Sequence, residues 1–190
     1  MRIPFLFLSV IGLMLIASGC TKATPEYHTY ATVKDLMDSV VDPSADFIWD
    51  SVSITSNLKG IVEKAPKTDE EWREVRRHAI ALMEATDLLQ MPGRTVARPG
   101  EKAADPRIEL DPAVIQTMID ADRASWADHT RALYDATALI IKAVEAKSSD
   151  AILQAGDNID QACENCHLKY WYPSQSKKDA SSTSVKKAPK

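Results

Sequence analysis

The sequence predicts an all-α protein, an antiparallel up-down-up-down four-helix bundle, from two observations. Glycine is scarce, with 6 in 190 residues, which argues against the many turns of a β-sandwich or barrel. Apolar residues instead recur at three- and four-residue spacing over four long stretches of the chain. Long amphipathic helices that follow one another in this way are typical of a bundle.

The four predicted helices are bounded by caps and by proline. They cover about 32–56, 69–91, 111–147 and 150–172. Thr68 and Glu71 form a capping-box pattern at the start of the second helix. The third begins at Asp111, an N-cap that is followed by proline. Asp42-Pro43 repeats this pattern inside the first helix, which we therefore expect to be kinked or split near residue 42.

Residues 1–19 have the pattern of a bacterial export signal. Arg2 supplies positive charge, and the apolar run from Ile3 to Ile16 is too short to cross a bilayer comfortably. Small residues then precede Cys20, which is typical of a lipoprotein signal with Cys20 as the lipidated first residue. An ordinary cleaved signal with an incidental cysteine is the alternative. Two or more acyl chains would anchor the protein stably to a membrane.

The chain after the signal divides into a lipidated linker (20–31), a helical domain (32–173) and a tail (174–190). The tail has five Lys, one Asp and almost no apolar side chains, so we expect it to be disordered. The formal net charge of −4 and the pI near 5.6 argue against a nucleic-acid partner. Thr21, directly after Cys20, favours the outer membrane over the inner one by analogy with bacterial sorting rules.

Two further cysteines form the sequence Cys163-Glu164-Asn165-Cys166-His167. This is the C-x-x-C-H pattern of c-type haem attachment: two thiols one helical turn apart reach the two haem vinyl groups, and the histidine reaches the iron. A thioredoxin-type dithiol would open a helix after a strand, and no strand is predicted before the motif. A zinc site would want another strong ligand, and no further cysteine is available. The sequence therefore predicts one covalently bound haem c.

A four-helix bundle that ends in C-x-x-C-H-x-x-Tyr resembles the cytochrome c prime family. Cys163, Cys166, His167 and Tyr170 carry the likeness, whereas Trp171 stands where the family usually has arginine. The resemblance implies a haem domain with His167 as an axial ligand. It also implies two types of protein: five-coordinate high-spin members, and six-coordinate low-spin members with a methionine from the first helix.

A sixth iron ligand must lie at the same position along the bundle axis as His167, which is here called its height. His167 lies about 18 residues, or about 27 Å, from the turn before the last helix. Met37 and His129 lie near this height, and Met83 is a third candidate. We expect Met37 to be the ligand, while core packing of Met37, ligation by His129 and an open site stay as alternatives. Three other side chains are expected toward the opposite end: His78, Trp49 and Trp72.

The segment 92–111 is a long loop between helices. Such loops in compact domains are often functional. It carries Arg94, Arg98 and Arg107, and an ion pair between one of them and a haem propionate is the alternative to plain solvation. We expect all three to be solvated instead.

These features predict a membrane-anchored periplasmic monohaem c-type cytochrome that carries electrons with His/Met ligation. The alternative is a five-coordinate haem protein that binds NO or CO, and a third class is an envelope-assembly lipoprotein with structural haem. No paired carboxylates or nucleophile–base set stand out, so we do not expect an enzyme. The expected partners are the membrane, through Cys20, and a redox protein; a homodimer is allowed.

Overall fold

The computed structural model describes residues 27–173, which are mostly helical with one small two-stranded sheet. The helices are α1 (Val33–Leu36), α2 (Asp42–Asp50), α3 (Asp69–Gln90), α4 (Pro112–Ala121), α5 (Arg123–Glu145) and α6 (Ser149–Tyr170); the π-helical segment Met37–Val41 joins α1 to α2, and the strands are β1 (Ser53–Asn57) and β2 (Gly60–Lys64). The predicted signal, the lipidated Cys20 and the tail lie outside the described residues. Within residues 27–173, no helix has both the length and the apolar character that crossing a bilayer requires.

The antiparallel hairpin β1–β2 makes the all-α prediction wrong, because the first helical stretch ends at Asp50 rather than near 56. Asn57 pairs with Gly60 across the turn, and Gly60 has a φ of 123°, which only glycine adopts readily. Both strands are rich in β-branched residues, which favour extended backbone. Ile54, which lies within the predicted first helix, is 57% exposed in β1.

The helical backbone runs through Pro43 without the new helix start that Asp42-Pro43 predicted. Asp42 is itself helical, with φ −61° and ψ −49°, and its N–H donates to the carbonyl of Met37, five residues earlier. In a regular α-helix the ring of Pro43 would clash with the carbonyl four residues before it. The wider π-helical turn ahead of Pro43 relieves that clash, so the irregularity is a π-helical segment and not a second N-cap.

The predicted third helix is two helices, α4 and α5, broken at Asp122. The backbone there has φ −143° and ψ 72°, and the Asp122 carboxylate accepts a 2.9 Å hydrogen bond from the Ser125 N–H. Asp122 thus caps a new helix start. The other predicted helix starts are confirmed, since Thr68 and Glu71 form the capping box of α3 and Asp111 caps α4. Ser148 caps α6.

Helices α2, α3, α5 and α6 enclose the hydrophobic core. Helix α5 packs along both α3 and α6, and α2 packs against α3 and α6. The largest fully buried side chains include Trp126, Tyr170, Ile48, Leu82, Ile140 and Ile159. Removing this apolar surface from water, at about 25 cal/mol per Å², is the main force that holds the helices together.

The long loop 92–111 fastens the start of α1 to the rest of the domain. The Val33 N–H donates to the Thr95 carbonyl at 2.9 Å, and the Lys34 N–H donates to the Val96 carbonyl at 3.0 Å. The expectation that Arg94 is solvated is wrong, because Arg94 is buried. Its guanidinium donates hydrogen bonds to the backbone carbonyls of Leu88 and Ala31. These bonds offset the free-energy cost of burying the charge.

Replacing Arg94 with methionine should lower the free energy of unfolding by about 1–3 kcal/mol, because the carbonyls of Leu88 and Ala31 lose a charged donor. Urea unfolding of the purified protein, followed by helical circular dichroism, measures this. Arg98→Met is the matched control: Arg98 is largely exposed and pairs with Asp35 at the surface, so its loss should matter much less. Equal unfolding midpoints for the two variants would contradict the buried role of Arg94.

Candidate haem-binding site

A cavity of about 220 Å³ lies between the π-helical segment, α2, the start of α5 and the end of α6. Cys163, Cys166 and His167 line it from α6, Met37 from the π-helical segment and His129 from α5. Its walls include the apolar or mostly apolar side chains of Val41, Ala45, Trp49, Leu89, Trp126, Leu133 and Ala162. The structure therefore brings together the C-x-x-C-H motif and both leading candidates for the sixth ligand.

The C-x-x-C-H motif lies near the C-terminal end of α6, which begins at Ser149. The three-residue spacing puts Cys163 and Cys166 on one face of the helix, and both thiols line the cavity. The element before α6 is helix α5, so no strand leads into the motif. Because the thiols also lie far from the positive N-terminus of α6, this arrangement differs from the helix-opening dithiol of thioredoxin-type proteins.

Burial of the two thiols favours their protonated form. Burial raises the pKa of Cys163 to about 11 and that of Cys166 to about 12. The carboxylates of Asp42 and Asp160 raise the pKa of Cys163 further. A cysteine that exchanges disulfides needs a lowered pKa, because the thiolate is the attacking species. The position of these cysteines argues against a redox dithiol, and the rise of both pKa values on burial acts in the same direction.

His167 lies in an environment that favours a neutral imidazole. Burial lowers its pKa, and the carboxylates of Asp42 and Glu164 act in the opposite direction. Burial in turn raises the pKa of Asp42, against the effect of His167. The rings of Trp171 and Tyr172 lie 5.9 and 5.7 Å from the imidazole, centroid to centroid. A neutral imidazole is the form that binds a metal, so this environment suits an iron ligand.

His129 faces the same cavity in a defined tautomer. Its Nδ1 lies 2.7 Å from the carbonyl oxygen of Ser125, one turn earlier in α5. Because that oxygen can only accept, Nδ1 carries the hydrogen of this bond, and Nε2 is the ring nitrogen that is left for a further partner. The ring also packs edge-on against Tyr170, with centroids 5.6 Å apart. These contacts fix the orientation of the His129 ring beside the cavity.

One side of the cavity is acidic. Among the described residues that line it, no Lys or Arg is present, whereas four carboxylates are: Asp42, Asp46, Asp160 and Glu164. All four belong to α2 or α6 and are exposed at their outer ends. The acidic side disfavours an anionic group placed next to it.

The cavity is also lined by two tryptophans, Trp49 and Trp126, which the sequence did not predict as part of the site. Trp49 was expected toward the opposite end, which is wrong because the cavity extends along α6 from Asp160 to His167, about 10 Å. The Trp49 Nε1–H donates to the Gly156 carbonyl at 3.1 Å and fixes the ring there. Trp126 Nε1–H donates likewise to a backbone carbonyl at the end of α3. Its spacing from His129 along α5 is the sequence signal that could have found it.

The remaining side chains that the sequence singled out do not line this cavity: Met83, His78 and Trp72. His78 instead stacks on Phe47, with ring centroids 4.0 Å apart and an interplanar angle of 13°. Trp72 is buried in the core. Met37 and His129 are thus the sixth-ligand candidates that share the cavity with His167.

Across residues 27–173, no three His, Cys, Asp or Glu side chains come together as a metal-binding group. Comparisons of the chain with models of protein families, with curated proteins and with solved structures each gave no match.

Proposed function

We propose that this protein is a membrane-anchored periplasmic monohaem c-type cytochrome that carries electrons. The observation that carries the proposal is that both thiols of a C-x-x-C-H motif, its imidazole and the thioether of Met37 line one largely apolar cavity. The domain would be a cytochrome c prime-like four-helix bundle over 32–173. Its first helix would be α1 with the π-helical segment and α2, and the others α3, α5 and α6.

The cysteines supply the covalent attachment in this proposal. Each S–H would add across one haem vinyl group, with the sulfur bonding to one vinyl carbon and the hydrogen going to the other, so that no atom would leave and no oxidant would be consumed. Cys163 and Cys166 are both free of disulfides and one helical turn apart, which suits two thioethers on one edge of a haem. His167, the next residue, would bind the iron from α6. An iron held within a porphyrin takes one or two protein ligands, so a group of three is not needed.

Met37 would be the second ligand to the iron. Bound haem supplies one-electron iron chemistry, and a methionine ligand raises its reduction potential. Met37 is partly buried against the core at the start of the π-helical segment. The loop hydrogen bonds to Val33 and Lys34, one turn earlier, hold this part of the chain in place. Such a held ligand suits a carrier, whose iron should change its surroundings little between the two redox states.

Binding of NO or CO to a five-coordinate haem is the second candidate. It is favoured by the apolar walls around His129, which include Leu89, Trp126 and Leu133. In that case Met37 would fill space in the core, as methionine often does. A gas molecule would then occupy the iron's open position.

Spectroelectrochemical titration of the purified protein, with and without CO, tests the electron-transfer proposal. A carrier should show a reversible one-electron couple, and CO should leave the ferrous spectrum and the midpoint potential unchanged over minutes. If CO shifts both at once, gas binding is the better assignment. If the protein shows no redox couple either with or without CO, electron transfer is excluded.

Replacing Cys20 with alanine should release the protein from membranes or leave its signal uncleaved, because the acyl chains that hold it would have no attachment point. Fractionation of cells, with mass spectrometry of the N-terminal peptide, measures this. With Thr21 next to Cys20, the wild type should fractionate with the outer membrane. A wild type found wholly in the soluble periplasm with an unmodified N-terminus would exclude the anchor.

A further inference from the structure

Tyr170, the last residue of α6, is fully buried, yet its hydroxyl has no hydrogen-bond partner. Within residues 27–173 no other buried side-chain nitrogen or oxygen is left in this state. A buried hydroxyl without a partner costs free energy, because it has given up its hydrogen bonds to water. The partner of such a group is an acceptor from outside the polypeptide, either a buried water or a bound molecule.

The Tyr170 ring packs against two side chains that line the cavity. It packs edge-on against Trp126, with centroids 5.2 Å apart, and against His129, with centroids 5.6 Å apart. Both of these side chains line the cavity. The Trp126 Nε1–H already donates to Leu89, and the His129 Nδ1–H to Ser125. The ring N–H groups of Trp126 and His129 therefore both have hydrogen-bond acceptors, whereas the Tyr170 O–H has none.

The charge near Tyr170 favours an anion. The Lys169 ammonium lies 5.2 Å from the centre of the Tyr170 ring and donates to the Ser125 hydroxyl. The carboxylates that line the cavity come from α2 and from earlier turns of α6, and they disfavour an anion beside them. An acidic group of a bound molecule is therefore better placed near Lys169 and Tyr170 than at the acidic side.

We infer that the Tyr170 hydroxyl donates a hydrogen bond to a propionate carboxylate of the bound haem, with Lys169 supplying a positive charge nearby. This rests on the proposed haem attachment. A carboxylate is the stronger acceptor for a buried O–H, since a charged acceptor shortens and strengthens the bond. Tyr170 is then a positioning residue that orients the haem. Its hydrogen bond withdraws negative charge from the propionate and so favours the ferrous state.

Tyr170→Phe should destabilise the protein only when haem is bound. In the holoprotein it should lower the thermal unfolding midpoint, because the propionate loses its donor. In the haem-free full chain, carrying Cys163→Ala and Cys166→Ala, it should leave the midpoint unchanged or raise it, because an unpartnered hydroxyl is removed. Tyr134→Phe, at a partly exposed position on α5, is the control and should change neither midpoint. An effect of Tyr170→Phe with the same sign in both forms, or none in the holoprotein, would overturn the inference.

Infrared spectroscopy of the holoprotein tests the same bond without the haem-free chain. Haem labelled with ¹³C at its propionate carboxyls, from cells fed labelled aminolaevulinate, should show a carboxylate band that moves in Tyr170→Phe and stays in Tyr134→Phe. The reduction potential should fall in Tyr170→Phe alone. If the haem is covalently bound but its propionate carboxylate bands do not move in Tyr170→Phe, only the role of Tyr170 is refuted. If the wild-type chain carries no covalent haem, the proposed function itself is refuted.

Discussion

Replacing both Cys163 and Cys166 with alanine should abolish covalent haem retention completely. The two thioethers would be the bonds that survive unfolding, because the coordination of iron by His167 depends on the folded chain. The measurement is a haem stain after denaturing electrophoresis, on protein made together with a c-type maturation system. Wild type should stain and the double variant should not.

Asn165→Ala, between the two cysteines, is the matched control. Asn165 is exposed, so its loss should leave the stain intact. Either cysteine variant alone should still retain some haem through the remaining thioether. A wild type that loses its haem on the gel, or a double variant that keeps it, would show that these thiols do not hold the haem.

Replacing Met37 with alanine should convert a low-spin ferric haem to high spin and let CO bind the ferrous form much faster. The thioether sulfur supplies the strong sixth ligand in our proposal, and alanine leaves that position open. Absorption and electron paramagnetic resonance spectra measure the spin state, and stopped-flow mixing measures CO binding.

His129→Ala is the matched control for Met37, since His129 lines the same cavity. It should leave the spectrum nearly unchanged. If wild type is already high-spin and binds CO readily, Met37 is core packing and gas binding becomes the function. If His129→Ala alone changes the spin state, the iron has two histidine ligands, for which the free Nε2 of His129 is suited.

Helix ends were predictable where a single side chain satisfies free backbone groups. Thr68 with Glu71, and Ser148, cap their helices as local sequence predicts. The hairpin was missed because Ile54 fits a helical stripe and a strand equally well over so short a stretch. The break at Asp122 was missed because the apolar spacing continues across it, and its cap to Ser125 is visible only in the backbone geometry.

The position of the cavity along the bundle axis was predictable from the sequence, but its extent was not. Counting residues from the helix turns puts Met37 and His129 level with His167, and all three line the cavity. Counting gives no information on how far a cavity extends along α6, so Trp49 was missed. The burial of Arg94 was missed because it depends on a loop that folds back over the start of α1, which no periodicity reports.

The absorption spectrum of the purified wild type, in its ferric and ferrous forms, tests the central claim most directly. The protein should be made with a c-type maturation system and recorded before and after addition of CO. We expect the bands of one haem c, low-spin in both oxidation states and unmoved by CO. A protein without haem absorption would contradict the cytochrome assignment, and a high-spin spectrum that CO shifts at once would contradict His167/Met37 ligation.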